Sequence, residues 1–219
     1  MIRRFSSIRN VIFDLDGTLI DGYGPVTESL NAALVAHGRS PIEVEVVRPL
    51  VGMGLEWLLT NFFPPKELDR AVDLFRQHYA KVYLHGNFLL PGVQEVLERL
   101  HAAGQHLAVA SNKPGERVRG ICEHLGIATY LKVMVGAGDV PSLKPDPGMV
   151  LAVMDLLGAR PADSLYIGDT GIDVQTARAA GIPVVCVLGG SASHQQLLAA
   201  GPDLILPSLA SLPEALDID

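Results

Sequence analysis

The stretch Val11-Ile12-Phe13-Asp14-Leu15-Asp16-Gly17-Thr18-Leu19 constrains this chain more than any other. An apolar, β-branched run leads straight into two aspartates and a Gly-Thr turn, the pattern of a buried strand that presents carboxylates at its tip. Asp14 and Asp16 are two residues apart, so on an extended backbone both side chains point the same way. Two like charges buried side by side are unfavourable unless a cation joins them or one takes up a proton. Taken alone, the residues also fit a strand followed by a plain Asp-Gly turn. The polar clusters further along the chain decide between the two.

After the first strand, Asp21 to Pro25 reads as a loop and Val26 to His37 as a helix, with Pro41, Pro49 and Pro64-Pro65 punctuating further helical pieces. No strand is expected between Leu19 and Leu90, so an all-helical block sits directly behind the first strand. Pro91-Gly92 opens a helix over Val93 to Ala103, with Val93, Val96, Leu97 and Leu100 on one face. From Gln105 onward strands and helices alternate. Expected strands are His106 to Ala110, Val133 to Ala137, Leu165 to Gly168, Pro183 to Leu188 and Leu204 to Leu206. That alternation predicts βαβ crossovers and an α/β fold with a doubly wound parallel sheet. The expected division is a core of residues 1–18 and 91–219 carrying an inserted α-helical cap of residues 19–90.

The bulk properties narrow the partners. The chain has 219 residues, 48% of them hydrophobic and 19% charged, enough for one full core with a smaller insert. A net charge of −7 argues against nucleic acid or an anionic membrane surface as a partner. The longest apolar runs, such as Pro183 to Leu188, are strand-length and far too short to span a bilayer. Met1 to Arg9 lacks the apolar core of a signal peptide, and Cys122 and Cys186 lie outside any metal-ligand spacing, so a cytoplasmic protein with reduced thiols is expected. The seven histidines, His85 and His101 among them, show no ligand spacing.

Ligands in sheets of this kind bind beyond the carboxyl ends of the strands, and that is where the polar clusters fall. Ser111-Asn112 ends one strand just before a helix, a place that favours an anion but equally suits an ordinary N-cap. Lys144 comes after the next strand, and Asp169 and Asp173 flank a turn into a helix, where Asp169 also fits a cap. In order and position the set is two carboxylates, a hydroxyl, a lysine and two more carboxylates.

These residues resemble the haloacid dehalogenase superfamily of phosphatases over nearly the whole chain. Asp14-Leu15-Asp16-Gly17-Thr18 matches the first motif, Ser111 the second, Lys144 in Leu-Lys-Pro-Asp-Pro the third, and Gly168-Asp169-Thr170-Gly171-Ile172-Asp173 the fourth. The helical insert is similar to the C1-type cap of the subfamily that includes phosphoglycolate phosphatases and β-phosphoglucomutases, and Val51-Gly52-Met53-Gly54-Leu55-Glu56 looks more like the former.

The resemblance implies a phosphomonoesterase dependent on Mg²⁺, acting on a small phosphorylated metabolite such as 2-phosphoglycolate. Asp14 is then the nucleophile that becomes an aspartyl phosphate, and Asp16 protonates the leaving alkoxide and later takes a proton from water. Four carboxylates facing a phosphate dianion require a hard cation, with Asp14, the Asp16 carbonyl and Asp169 as ligands and Asp173 bound either directly or one step removed. Thr18, Ser111, Asn112 and Lys144 would hold the phosphoryl oxygens, with Thr18 also ordering the loop beside the nucleophile. Release of halide needs neither a proton nor a metal, so the presence of Asp16 favours phosphate chemistry. A phosphotransferase of the β-phosphoglucomutase kind and a binding protein without turnover are the rivals.

For the cap, Arg48, Lys66 and Arg70 are candidate cations for a substrate carboxylate, and each also fits a solvated helix charge. The Gly52-Met53-Gly54 turn would let backbone approach closely. Trp57, Leu55, Leu58 and Leu59 are expected in the cap core. The partner is expected to be a small metabolite, and the protein a monomer or homodimer.

Overall fold

The computed structural model describes residues 5–218, so the outermost ends of the expected core, and the first four residues of the arginine-bearing N-terminal stretch, lie outside the described residues. Six strands form one parallel sheet: β1 (Asn10–Phe13), β4 (His106–Pro114), β5 (Leu131–Ala137), β6 (Ser164–Gly168), β7 (Val184–Val187) and β8 (Leu204–Leu206), in the spatial order β5-β4-β1-β6-β7-β8. The order reverses at β1: the chain steps out to β4 and β5 on one side, then returns to lay β6, β7 and β8 on the other. A reversal of this kind opens a crevice at the carboxyl ends of the strands.

Both faces of the sheet are covered, which is why its strands read as continuous apolar runs. On one face Val11, Phe13, Leu107, Val109, Leu165 and Ile167 pack with Val93, Val96, Leu97 and Leu100 of α5 (Val93–Ala102) and with Val118 and Ile121 of α6 (Gly115–His124). On the other, Ile12, Ala108, Ala110, Tyr166, Val184 and Cys186 meet α7 (Gly148–Leu157), α8 (Gly171–Ala179) and α9 (His194–Ala200). The alternation of residues between faces is the period-two rule of a strand. A short α10 (Leu212–Ala215) closes the first face.

The insert has its own core. Leu30, Ala33 and Leu34 of α1 (Tyr23–Ala36) pack with Leu58 and Leu59 of α3 (Leu55–Thr60) and with Ala71, Val72, Phe75 and Tyr79 of α4 (Pro65–Val82), with Val47 of α2 (Val44–Val47) at the edge. Three expectations need correction here. Helix α1 begins at Tyr23, so Gly24 and Pro25 are its first turn, where an absent N–H costs nothing. Trp57 is 39% exposed rather than part of the cap core, because Leu58 and Leu59 of α3 turn inward, with Leu55 partly buried against them. The block also contains strands: β2 (Ile20–Asp21) pairs antiparallel with β3 (Phe88–Leu89). Two residues are too few to show a period, so nothing in the sequence announces them. This ribbon joins the chain entering the helical insert to the chain leaving it, and Leu90 N–H donates to the Leu19 carbonyl at its base.

Among the described residues no helix is long and apolar enough to cross a membrane.

Leu97 is fully buried between α5 and the sheet. Leu97→Ala is therefore expected to cost about 2–5 kcal/mol of unfolding free energy, measured by urea denaturation.

Candidate active site

The functional side chains hang on strand ends, on the first turn of a helix or, for Lys144, on the loop between β5 and α7. Strand β1 stops at Phe13, and Asp14 N–H still donates to the Ile167 carbonyl at 2.8 Å, which fixes the aspartate beside β6. The chain then turns at Gly17 with φ of +81°, a conformation that favours glycine. A Cβ there would lie 2.3 Å from Asp169 Oδ2, so the residue type is required by space as well. Thr170 caps α8 by accepting from Asp173 N–H, and Asp173 Oδ2 in turn accepts from the Thr170 N–H at 3.0 Å and hydroxyl at 2.6 Å. The cap of α8 is thus Thr170, not Asp169, which leaves the Asp169 carboxylate for the site. Ser111 and Asn112 belong to β4, and the N-cap of α6 is Pro114, so the N-cap reading of Ser111-Asn112 is overturned.

Asp14, Asp169 and Asp173 converge, with one carboxylate oxygen from each within 4.8 Å of the others, and all three are buried. Lys144 is set among them. Its ammonium lies 2.9 Å from Asp14 Oδ1, and donates to Asp173 Oδ1 at 2.8 Å and to Tyr166 Oη at 2.9 Å. The Tyr166 hydroxyl donates its own proton to the Ala110 carbonyl at 2.8 Å. Burial opposes the charge on Lys144, but Asp14 and Asp173 outweigh it and hold the ammonium well above the usual lysine range.

A second buried lysine stands beside the second aspartate. Lys113 Nζ is 3.2 Å from Asp16 Oδ2 and donates to Tyr79 Oη of α4 at 2.7 Å.

The carboxylates remain under-compensated. Asp14 is raised to about 6, chiefly by burial and then by Asp173 and Asp16, against the opposing pull of Lys144. Asp169 is pushed well above the carboxylate range by burial, Asp173 and Asp14. Asp14 Oδ1 is paired in charge with Lys144 but has no aligned hydrogen bond, and Asp16 Oδ1 has no partner. Four buried carboxylates face two ammonium groups, a formal deficit that one divalent cation covers. The oxygen-only donor set of Asp14, Asp169 and Asp173 suits a hard ion such as Mg²⁺. Glycines leave the room: a Cβ on Gly190 would lie 2.2 Å from Asp169 Oδ2.

A cavity of about 500 Å³ lies between these strand ends and the helical insert. Asp14, Asp16, Ser111, Asn112 and Lys113 line it from the sheet, and Gly52, Leu55, Leu58, Phe75 and Tyr79 from the insert.

Other expected residues take different places. The Thr18 hydroxyl is buried and donates to Asp169 Oδ1 at 3.3 Å, so it orders a carboxylate and does not open onto the cavity. The Asn112 amide is committed: its Nδ2 donates to the Gly52 carbonyl at 2.8 Å and the Lys144 carbonyl at 3.0 Å, and its Oδ1 accepts from Lys144 N–H at 2.8 Å. With these groups engaged, that side chain ties the Lys144 loop to the insert. The close backbone approach expected at Gly52-Met53-Gly54 is realised in the Gly52 contact. Arg48 stacks on Tyr23 at 4.2 Å and pairs with Asp21, away from the cavity, and Lys66 and Arg70 do not line it. The cations lining it among the described residues are Arg76, Lys113 and Arg117.

Lys113, Tyr79 and Tyr166 escaped the sequence reading. Lys113 had a signal, since it extends the polar run Ser111-Asn112 at a strand end. The two tyrosines sit in apolar patterns that read as core.

A family model for haloacid dehalogenase-like hydrolases matches residues 11–187. The chain belongs to the haloacid dehalogenase-like hydrolases. It is 35% identical over 213 residues to the phosphoglycolate phosphatase of Rhodospirillum rubrum, covering 92% of this chain and 88% of the relative. Its identity to the phosphoglycolate phosphatase of Salmonella paratyphi A is 32% over 241 residues, covering 99% and 96%. The crystal structure of a predicted phosphoglycolate phosphatase from Haemophilus somnus 129pt superposes with a TM-score of 0.87 at 27% identity, covering 95% of this chain and 97% of that one. With its carboxylate triad this haloacid dehalogenase-like hydrolase is a Mg²⁺-dependent phosphomonoesterase.

Mg²⁺ and protons compete for the same oxygens, so Mg²⁺ affinity is expected to fall about tenfold per pH unit below pH 6 for each proton displaced. Titration calorimetry at pH 7.5, 6 and 5 checks this. Between 3.8 and about 6 the metal-free folded protein holds on Asp14 a proton that the unfolded chain releases. This group's contribution to metal-free stability therefore rises as pH falls through that window, and the stabilisation by Mg²⁺ is expected to shrink with it, read by thermal denaturation.

Proposed function

We propose that this phosphomonoesterase hydrolyses 2-phosphoglycolate. The observation that carries this reading is the end-to-end likeness, helical insert included, to the phosphoglycolate phosphatases of Rhodospirillum rubrum and Salmonella paratyphi A. The cavity supports it by size, since about 500 Å³ suits a small metabolite. In this reading residues 1–18 and 91–219 form the catalytic body and residues 19–90 a cap, hinged at the β2-β3 ribbon. The protein works in the cytoplasm, as a monomer or homodimer.

Asp14 attacks phosphorus, the ester P–O bond breaks, and an aspartyl phosphate forms. Asp16 gives its proton to the departing alkoxide oxygen, then takes one from the water that attacks phosphorus, which breaks the Asp14 O–P bond and releases inorganic phosphate and the free Asp14 carboxylate. Ser111, which lines the cavity and whose hydroxyl oxygen accepts from the Lys113 N–H, donates its own proton to a phosphoryl oxygen. Lys144 donates to Asp173 and Tyr166 and is paired in charge with Asp14, so it serves the phosphoryl group through its charge and holds Asp14 in line. Asn112 positions Lys144, and Thr18 positions Asp169. Asp14, Asp169 and Asp173, with the Asp16 carbonyl, would hold Mg²⁺, which when bound neutralises charge on the phosphoryl oxygens. The cap excludes water while Asp14 and the substrate react.

Asp14→Asn is expected to lower kcat by at least about 10³-fold while leaving thermal stability intact or raised, because it removes one buried charge. Asp16→Ala is expected to slow turnover about 10²- to 10⁴-fold. Phosphate release from 2-phosphoglycolate, β-glucose 1-phosphate, pyrophosphate and a nucleoside monophosphate, each in Mg²⁺ and in EDTA, tests the substrate. A Mg²⁺-dependent kcat/KM at least about tenfold higher for 2-phosphoglycolate is expected, and a flat profile would overturn the substrate assignment.

A further inference from the structure

We propose that Lys113 anchors the anionic end of the substrate's leaving group, and that this contact makes the enzyme select phosphate esters with a carboxylate one methylene from the ester oxygen. The inference deepens the phosphoglycolate reading and rests on it.

Lys113 stands at the end of β4 and reaches across the cavity floor to the cap. Its side chain is only 6% exposed, with Asp16 Oδ2 at 3.2 Å, Tyr79 Oη at 2.7 Å, and the Tyr79 ring centroid at 5.1 Å. An ammonium carries three donors and no acceptor. Asp16 and Tyr79 take two, and the third is left for whatever occupies the cavity that Lys113 lines. The other cations around the cavity are placed less well for a buried anion. Arg76 is 61% exposed and pairs with Glu56 at 2.8 Å. Arg117 lies 4.2 Å over the Tyr83 ring and pairs with Glu116 at 3.3 Å. Lys144 has Asp14, Asp173 and Tyr166 around it.

The position fits the molecule. Asp16 acts on the ester oxygen, so that oxygen sits within hydrogen-bond reach of its carboxyl group. In 2-phosphoglycolate one methylene separates the ester oxygen from the carboxylate, whose oxygens lie roughly 2.7–3.7 Å from it by ordinary bond lengths. A cation in direct contact with Asp16 is therefore within reach of that carboxylate. A neutral alcohol would leave the third donor of a buried ammonium without an anionic partner, and a site built around such a group rejects analogues that lack the matching one. Tyr79 holds Lys113 from the cap side, so the anchor is complete only with α4 over the cavity.

The experiment compares kcat/KM for 2-phosphoglycolate with that for 2-hydroxyethyl phosphate, the same skeleton with a neutral end, in saturating Mg²⁺ with the full-length protein. The wild type is expected to prefer the carboxylate by about a hundredfold. Lys113→Met is expected to lower that ratio about 10- to 100-fold, through KM for 2-phosphoglycolate, with Lys113→Arg retaining more of it. Any loss shared by both esters reports the hold of Lys113 on Asp16 and cancels in the ratio. Tyr79→Phe keeps the ring and removes the hydroxyl, and lowers the ratio by a smaller factor. Should Lys113→Met not fold by circular dichroism, Lys113→Gln and Tyr79→Phe carry the same comparison. An unchanged ratio in the variants, beside a preserved wild-type preference, overturns the anchor and leaves the substrate assignment standing. A wild type without preference overturns both.

Discussion

The rest of the structure depends on one electrostatic arrangement: the Lys144 ammonium held among Asp14, Asp173 and the Tyr166 hydroxyl. Carboxylates gathered in a buried place repel one another, and losing the cation they share, Lys144, would leave buried charges uncompensated, which typically costs about 3–5 kcal/mol. Lys144 makes the gathering tolerable without cancelling it. Burial, with the neighbouring carboxylates, raises Asp14 to about 6 and pushes Asp169 well above the carboxylate range, and a divalent cation bound there relieves that repulsion. Stability is given up locally so that a metal site exists, and the sheet with its two covered faces supplies it elsewhere.

The surrounding polar groups serve this arrangement at one remove. Thr18 and the Ser191 N–H hold Asp169, the latter at 2.6 Å, while Thr170 holds Asp173. Asn112 spans three pieces of chain, tying the Lys144 loop to β4 and both to Gly52 of the insert. Lys113 makes a second tie, from Asp16 to Tyr79. The insert is thus connected covalently through the β2-β3 ribbon and electrostatically through the floor of the cavity it covers. Position of the cap and geometry of the catalytic carboxylates are linked by these contacts.

Much of the fold is legible because each core strand carries its own signal. The residues Val11 to Phe13, His106 to Ala110 and Leu165 to Gly168 are apolar runs ending in polar residues, and buried parallel strands have no other appearance. Asp14, Ser111 and Asp169 are legible for a related reason, since each is a polar residue that closes an apolar run, while Lys144 is marked by its Leu-Lys-Pro-Asp-Pro setting. The cap was harder. Its ribbon is too short to show a period, Trp57 lies on the outer side of a six-residue helix, and Arg48 is drawn to Tyr23 and Asp21 instead of the cavity. For charged residues on amphipathic helices, sequence says which are polar and not which cavity they meet.

By itself the sequence determined the parallel α/β body, the helical insert behind the first strand, and the carboxylates and lysine at the strand ends, because these arise from local hydrophobic patterning and chain order. Only the tertiary structure decided what the polar groups do to one another. Asn112, alone a plausible phosphate donor, is turned into a brace by contacts with residues 32 and 60 positions away. Lys113, an ordinary lysine in the chain, becomes a buried cation between Asp16 and a cap tyrosine 34 positions away. Hydrogen bonds and ion pairs act over a few ångströms in space, and no local pattern encodes which distant residues the fold will bring within that distance.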